Sequence, residues 1–208
     1  MNVLEHYASQ LDDLKKQGNL RQFTANIQMG RDIQINNRSM LNLSSNDYLG
    51  LAVDERLREE FFDLTPISEQ RMSSSSSRLL TGNFPEYEQL EHTLSQLFGH
   101  RAALLFNSGY HMNIGILPAL CDSKTLILAD KLVHASLIDG MRLSTAQYVR
   151  YRHNDLNHLD ALLKKYQADQ TFERIIIVTE SIFSMDGDEA DLAALVALAL
   201  YAVRMVVE

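Results

Sequence analysis

The sequence predicts an α/β protein built on a mainly parallel sheet flanked by helices. From Glu86 onward, helix-like and strand-like stretches alternate with the short connections of βαβ units. The strand-like stretches at 125–129 and 174–179 are apolar almost throughout, the pattern of strands covered on both faces rather than one. Of the 208 residues, 46% are hydrophobic and 22% charged, enough apolar side chains to fill a sizeable core.

The elements follow in order. Leu4, Leu11 and Leu14 share one helical face, which Gly18-Asn19 ends. Ile33 and Ile35 alternate with polar residues up to Asn36-Asn37, and the pattern resumes at 40–43, so a hairpin is expected there. Turn chemistry fills 44–50 and a helix follows over 54–62. The five serines at 73–77 read, by composition alone, as a flexible linker. A helix over 86–98 stops at Gly99, and 102–106 is a short apolar run expected as a buried strand. Three helix–strand pairs come next: 112–120 with 125–129, 136–143 with 147–150, and 156–166 with 174–179. A last helix over 192–200 leads to a strand over 203–207.

Charge and cysteine content narrow the function. A net charge of -8 with a pI near 5.3 leaves no basic surface to neutralise nucleic-acid or lipid phosphates, so neither nucleic acid nor membrane is expected as a partner. Cys121 is the one cysteine, so no internal disulfide can form, and a reducing cytoplasm is the expected setting. The N-terminus mixes charges with apolar residues and reads as neither signal peptide nor membrane span.

In a parallel sheet, ligands bind beyond the carboxyl ends of the strands, so the residues just after each strand are the ones to inspect. After 102–106 come Asn107-Ser108-Gly109-Tyr110-His111. A glycine at a strand-to-helix turn lets backbone N–H groups approach an anion at a helix N-terminus, though many such glycines serve only the turn. After 125–129, His134 could stack on a heteroaromatic cofactor, exchange a proton with substrate, or merely cap the next helix. His153 and His158, like His92 and His100, lack helical metal-ligand spacing and read as structural or exposed. After 174–179, the Glu180, Ser181, Ser184 and Asp186 side chains could line a polar pocket, with Asp186-Gly187 as a turn. The carboxylates at 186, 188, 189 and 191 are open to a metal reading, but the span 188–191 more simply starts the next helix, and no metal is expected. A Ser-His-Asp hydrolase lacks its GxSxG elbow. GxGxxG and GxxxxGK[ST] are absent, which argues against dinucleotide or nucleoside-triphosphate binding.

Four segments taken together resemble the α-oxoamine synthase family. They are Leu-Ser-Ser-Asn-Asp-Tyr-Leu-Gly-Leu at 43–51, Ser-Arg-Leu-Leu-Thr-Gly at 77–82, His-Ala-Ser-Leu at 134–137 and Thr-Glu-Ser-Ile-Phe-Ser-Met-Asp-Gly at 179–187. The resemblance implies a fold-type I enzyme dependent on pyridoxal 5'-phosphate (PLP), acting as a homodimer on an amino acid and an acyl thioester. The wording of the first two segments favours members that condense L-alanine with a pimeloyl thioester in biotin synthesis, releasing CO2, over those that use glycine. By the same resemblance Ser108, Gly109 and Tyr110 would hold the cofactor phosphate. His134 would be the catalytic residue, stacking on the pyridine ring and contacting substrate; Ser184 would hydrogen-bond the phenolic oxygen, and Arg21 would bind substrate. The serine run would then lie near the active site. The resemblance also implies a division of the chain into an N-terminal helix and extended segment, 1–50, and the first part of a large PLP-binding domain, 51–208.

The family pattern continues into a strand ending in Asp-Ala-His or Glu-Ala-His and then a Schiff-base lysine. This sequence stops at Val206-Val207-Glu208, and none of Lys124, Lys131, Lys164 or Lys165 matches that lysine. The expectation is therefore an N-terminal part whose C-terminal part is absent, inactive alone. Two classes stand: an enzyme in the intact protein, or a noncatalytic PLP-fold remnant or interaction module.

Overall fold

A computed structural model describes residues 2–99, 102–167, 171–202 and 205–207. The chain forms two compact units, dividing after Asn83, whereas the sequence reading set its boundary after residue 50.

The first unit holds helix α1 (Val3–Lys16), strands β1 (Ile27–Met29), β2 (Asp32–Ile35) and β3 (Arg38–Leu41), a 3-10 turn at Leu51–Val53 and helix α2 (Glu55–Leu64). A capping box starts α1, with the Asn2 side chain accepting from Leu4 N and Glu5 from Asn2 N. The expected hairpin is β2–β3, with Ile35 opposite Arg38. Asn36 (φ 50°) and Asn37 (φ 61°) both take the left-handed conformation, which a two-residue turn needs to match the strands' twist. Strand β1, which the periodicity did not announce, pairs antiparallel with β2. The serine run is tied into a turn rather than left as a free linker: Ser76 N donates to Ser74 O, and Gly82 N to Ser77 O. Gly82 is required there, since a Cβ would lie 1.9 Å from Ser76 O.

The second unit is the α/β layer structure. It comprises α3 (Pro85–Leu97), α4 (Gly109–Leu120), β4 (Thr125–Asp130), α5 (Ala135–Leu143), β5 (Gln147–Tyr151), α6 (Leu156–Gln167), β6 (Arg174–Val178), α7 (Leu192–Ala202) and β7 (Met205–Val207). The sheet runs β5-β4-β6-β7, parallel at every pairing. Alternation along β4 explains the two layers. Leu126 and Leu128 face Leu159 and Leu163 of α6 and Leu195 and Ala199 of α7, while Ile127 and Ala129 face Leu117 of α4 and Met141 of α5. The apolar run that read as a doubly covered strand is buried at all six positions.

The run at 102–106 is not a strand. It carries no regular secondary structure, no described strand pairs with it, and Leu104 is 67% exposed. An apolar run becomes a strand only where a neighbour supplies a hydrogen-bonding edge. Here the Leu105 amide donates instead to the Glu91 carboxylate of α3, at 2.8 Å. Residues 203 and 204 of the expected last strand lie outside the described residues. Among the described residues no helix is long and apolar enough to cross a membrane.

Helices α4 and α5 meet at Gly140, where a Cβ would stand 2.4 Å from Asn113 O and 3.1 Å from Leu117 Cδ1. Because the nearest atoms are backbone, Gly140→Ala should lower unfolding free energy by about 1–3 kcal/mol, the scale of overpacking. At Gly115 a Cβ would meet only Phe106 Cε1 at 3.7 Å, so Gly115→Ala should be neutral or stabilising. Urea unfolding of the two variants checks this, and equal midpoints would contradict it.

Candidate active site

At the start of α4, Ser108 is extended (φ -162°, ψ 155°) and its Oγ accepts from His111 N at 3.1 Å. His111 Nδ1 lies 2.8 Å from Asn107 Oδ1 and 3.0 Å from Ser108 Oγ, which ties the turn to the first helical turn. Gly109 and Tyr110 are the first two helical residues, and no described hydrogen bond takes their amides. Gly109 has no positive φ, and nothing lies within 4 Å of a Cβ built on it. Neither backbone strain nor internal packing therefore requires glycine at this position. Tyr110 OH donates to Asp139 of α5 at 3.3 Å.

His134 follows β4 and caps α5: its Nδ1 accepts from Ser136 N at 3.2 Å. Of the two roles foreseen as alternatives the structure shows the cap, and His134 is exposed although one ring nitrogen is engaged. Its backbone N donates to the Glu180 carboxylate, so the segments after β4 and β6 are joined. Ser184 sits in the loop after β6. Phe183 N donates to Asp188 O, Gly187 N donates to Phe183 O, and Gly187 takes φ 73°, as the expected Asp186-Gly187 turn demands. The Ser184 side chain is exposed and enters no hydrogen bond with Ser108, Tyr110 or His134. Arg21 is exposed in the first unit.

The most heavily bonded cluster at the strand ends escaped the sequence reading. Asp130, fully buried at the end of β4, accepts from Leu132 N (2.7 Å), Asn154 N (2.9 Å) and His153 Nδ1 (2.8 Å). The other ring nitrogen of His153 lies 2.6 Å from Asp188 Oδ2, which also accepts from Asn154 Nδ2 at 2.7 Å. The Phe183 ring stands edge-on to His153, centroids 4.5 Å apart. His153 is thus structural, as expected, but ionic. Asp188 does not start the following helix; Asp191 does, accepting from Ala194 N at 3.0 Å. The usable signal was that His153-Asn154 follows strand β5, the position singled out for the other strands.

An ionised carboxylate only accepts, so while Asp130 and Asp188 are both ionised this geometry calls for a proton on each His153 nitrogen and favours the imidazolium. The Asp130 hydrogen bond, opposed by burial and reinforced by Asp188, holds the His153 pKa above the ordinary histidine value. The His153 hydrogen bond in turn holds Asp188 below the usual carboxylate range. Stability from the raised histidine is complete below its unfolded value and is lost as pH rises through the folded one. That from the lowered carboxylate is present above its unfolded value and lost as pH falls through the folded one. Their combined contribution is therefore greatest between roughly pH 4 and 6.5. Melting temperatures from about pH 5 to 9 should fall on the alkaline side in the wild type, and His153→Gln should flatten that fall. Superimposable profiles would contradict the assignment.

Comparisons with known proteins place this arrangement. The sequence profile of the family described as aminotransferase class I and II matches residues 38–207. A protein of Pasteurella multocida provisionally named 8-amino-7-oxononanoate synthase is 59% identical over 94% of this chain and 50% of its own length. Its namesake in Neisseria meningitidis is 56% identical over 95% of this chain and 51% of its own. The chain thus spans about half the length of the curated relatives it matches. Among solved structures, serine palmitoyltransferase from Sphingomonas wittichii superposes with a TM-score of 0.85 at 25% identity, over 99% of this chain and 52% of that one. The 8-amino-7-oxononanoate synthase from Francisella tularensis superposes with a TM-score of 0.58 at 28% identity, over 74% of this chain and 41% of that one. A profile matched over most of the chain, on a parallel sheet whose strand ends gather these side chains, shows that the chain belongs to the aminotransferase class I and II family.

Proposed function

We propose that this chain is the cofactor-binding part of a PLP-dependent α-oxoamine synthase that condenses L-alanine with a pimeloyl thioester, releasing CO2. The observation that carries the reading is the pair of helix N-terminal amides at Gly109 and Tyr110 that no described hydrogen bond takes, in the same unit of the fold as the exposed His134. The match in sequence to proteins provisionally named 8-amino-7-oxononanoate synthase supports the choice of substrates.

The residues fit the cofactor on chemical grounds. A phosphate needs N–H donors and a favourable field, and the α4 N-terminus offers both, with no Cβ at Gly109 to obstruct approach. Tyr110 is fastened to Asp139, so its amide is held by a side chain anchored on the next helix. An exposed imidazole capping α5 offers a flat face to a pyridine ring, and Ser184 offers a hydroxyl for an oxygen on that ring. PLP, when bound, supplies the electron-withdrawing ring that stabilises charge on the carbon from which CO2 departs. The chain's own groups would hold the phosphate, orient the ring and meet substrate oxygens at His134. The same reading makes the whole protein a cytoplasmic homodimer acting on an amino acid and an acyl thioester.

In a protein of the relatives' length, His134→Ala should lower CO2 release from L-alanine and a pimeloyl thioester by about 100-fold, the lower end for a positioned acid-base group. Near-normal turnover would return His134 to its capping role alone. Crystals grown with PLP should place the phosphate on the amides of Gly109 and Tyr110, and a phosphate bound elsewhere would remove that site.

A further inference from the structure

Only one of the two ring nitrogens of His134 is engaged by the described residues. Nδ1 lies 3.2 Å from Ser136 N and 2.7 Å from Ser136 Oγ. A backbone N–H can only donate, so Nδ1 must present its lone pair. The Ser136 hydroxyl faces the same lone pair and must give it its single proton. The hydroxyl oxygen is then left as an acceptor, and Asn113 Nδ2 stands 2.9 Å from it. The chain of donation runs Asn113 to Ser136 to His134, and each direction follows from the one amide that has no choice.

Burial gives this relay its rigidity. Ser136 is fully buried and Asn113 partly so, in the seam where α4 and α5 approach closely at Gly140. Histidine is not among the preferred helix caps, which are Ser, Thr, Asp and Asn. A capping role alone would be better filled by one of these, and none of them would carry a second ring nitrogen.

We infer that Asn113 and Ser136 are positioning residues that lock His134 in the tautomer protonated at Nε2 and fix the rotation of its ring. The free edge of the resting imidazole is therefore a hydrogen-bond donor, suited to a ligand oxygen. It accepts no proton there, and Nδ1 can take one only by giving up both bonds from Ser136. The use made of that donor rests on the proposed cofactor site, whereas the tautomer does not.

The test is ring ¹⁵N spectroscopy on the 208-residue chain labelled at histidine, with the His134 signals identified by their loss in His134→Gln. The wild type should show a protonated Nε2 and an unprotonated Nδ1. Ser136→Ala removes one of the two donors and should lower the tautomer ratio about tenfold. Asn113→Asp presents acceptors only, draws the hydroxyl proton away from Nδ1, and should do the same. Ser136→Thr keeps the hydroxyl and should restore the wild-type ratio. A wild-type ring protonated at Nδ1 overturns the inference, even if a variant fails to fold; so does an unchanged ratio in Ser136→Ala and Asn113→Asp together. Adding PLP to the same samples separates the two ideas. A PLP-dependent shift with no tautomer preference keeps the cofactor site and sinks the relay. A locked tautomer with no response to PLP keeps the relay and counts against the cofactor site.

Discussion

A carboxylate removed from water at the end of the most deeply buried strand constrains much of the second unit. Taking such a charge out of solvent costs several kcal/mol unless hydrogen bonds and an opposite charge replace the water. Asp130 meets that requirement with two backbone amides and the His153 imidazolium. The consequence reaches three loops. The segment after β4 must turn so that Leu132 N points back. The segment after β5 must present Asn154 N, which it does from a left-handed conformation (φ 49°) that asparagine tolerates well. The segment after β6 is drawn in because the second nitrogen of His153 needs an acceptor, which Asp188 supplies. Three loops are thereby held to one strand end.

The parts of this architecture that are local in sequence were readable from it. Strands β4 and β6 announce themselves as short apolar runs because both of their faces are covered, and Asn36-Asn37 names its turn because few residues accept positive φ twice in succession. What depended on a distant partner was not readable. The run at 102–106 has the composition of a strand, but composition cannot supply a neighbouring edge. His153 takes its meaning from Asp130, 23 positions away, and Asp188, 35 positions away. Its spacing to His158 says nothing about either. The glycine turn at 108–110 and His134 were found because each follows directly on a strand-like run, whereas the openness of Gly109 and the double bonding of Nδ1 needed coordinates.

The candidate site divides into parts of different character. The α4 N-terminus and the α5 cap are joined into one seam through Asn113–Ser136 and Tyr110–Asp139. The loop carrying Ser184 joins that seam by the Glu180 carboxylate and the segment after β5 by Asp188. Gly109, Tyr110 and His134, the residues of the proposed cofactor site, thus belong to the seam, and the hydroxyl of Ser184 to a loop held at its two ends.

The burial of β4 between β5 and β6 also sets the order in which the structure opens. Amides of 126–129 lie in a stretch of strand paired on both sides and covered on both faces, so their exchange with solvent deuterium requires disruption of the whole sheet. Amides at 102–106 are not laddered to any described strand and need no such event. Because Asp130 is the last residue of the slow strand, the anchor of the site shares the lifetime of the fold, and the loops it holds can breathe and return to the same place.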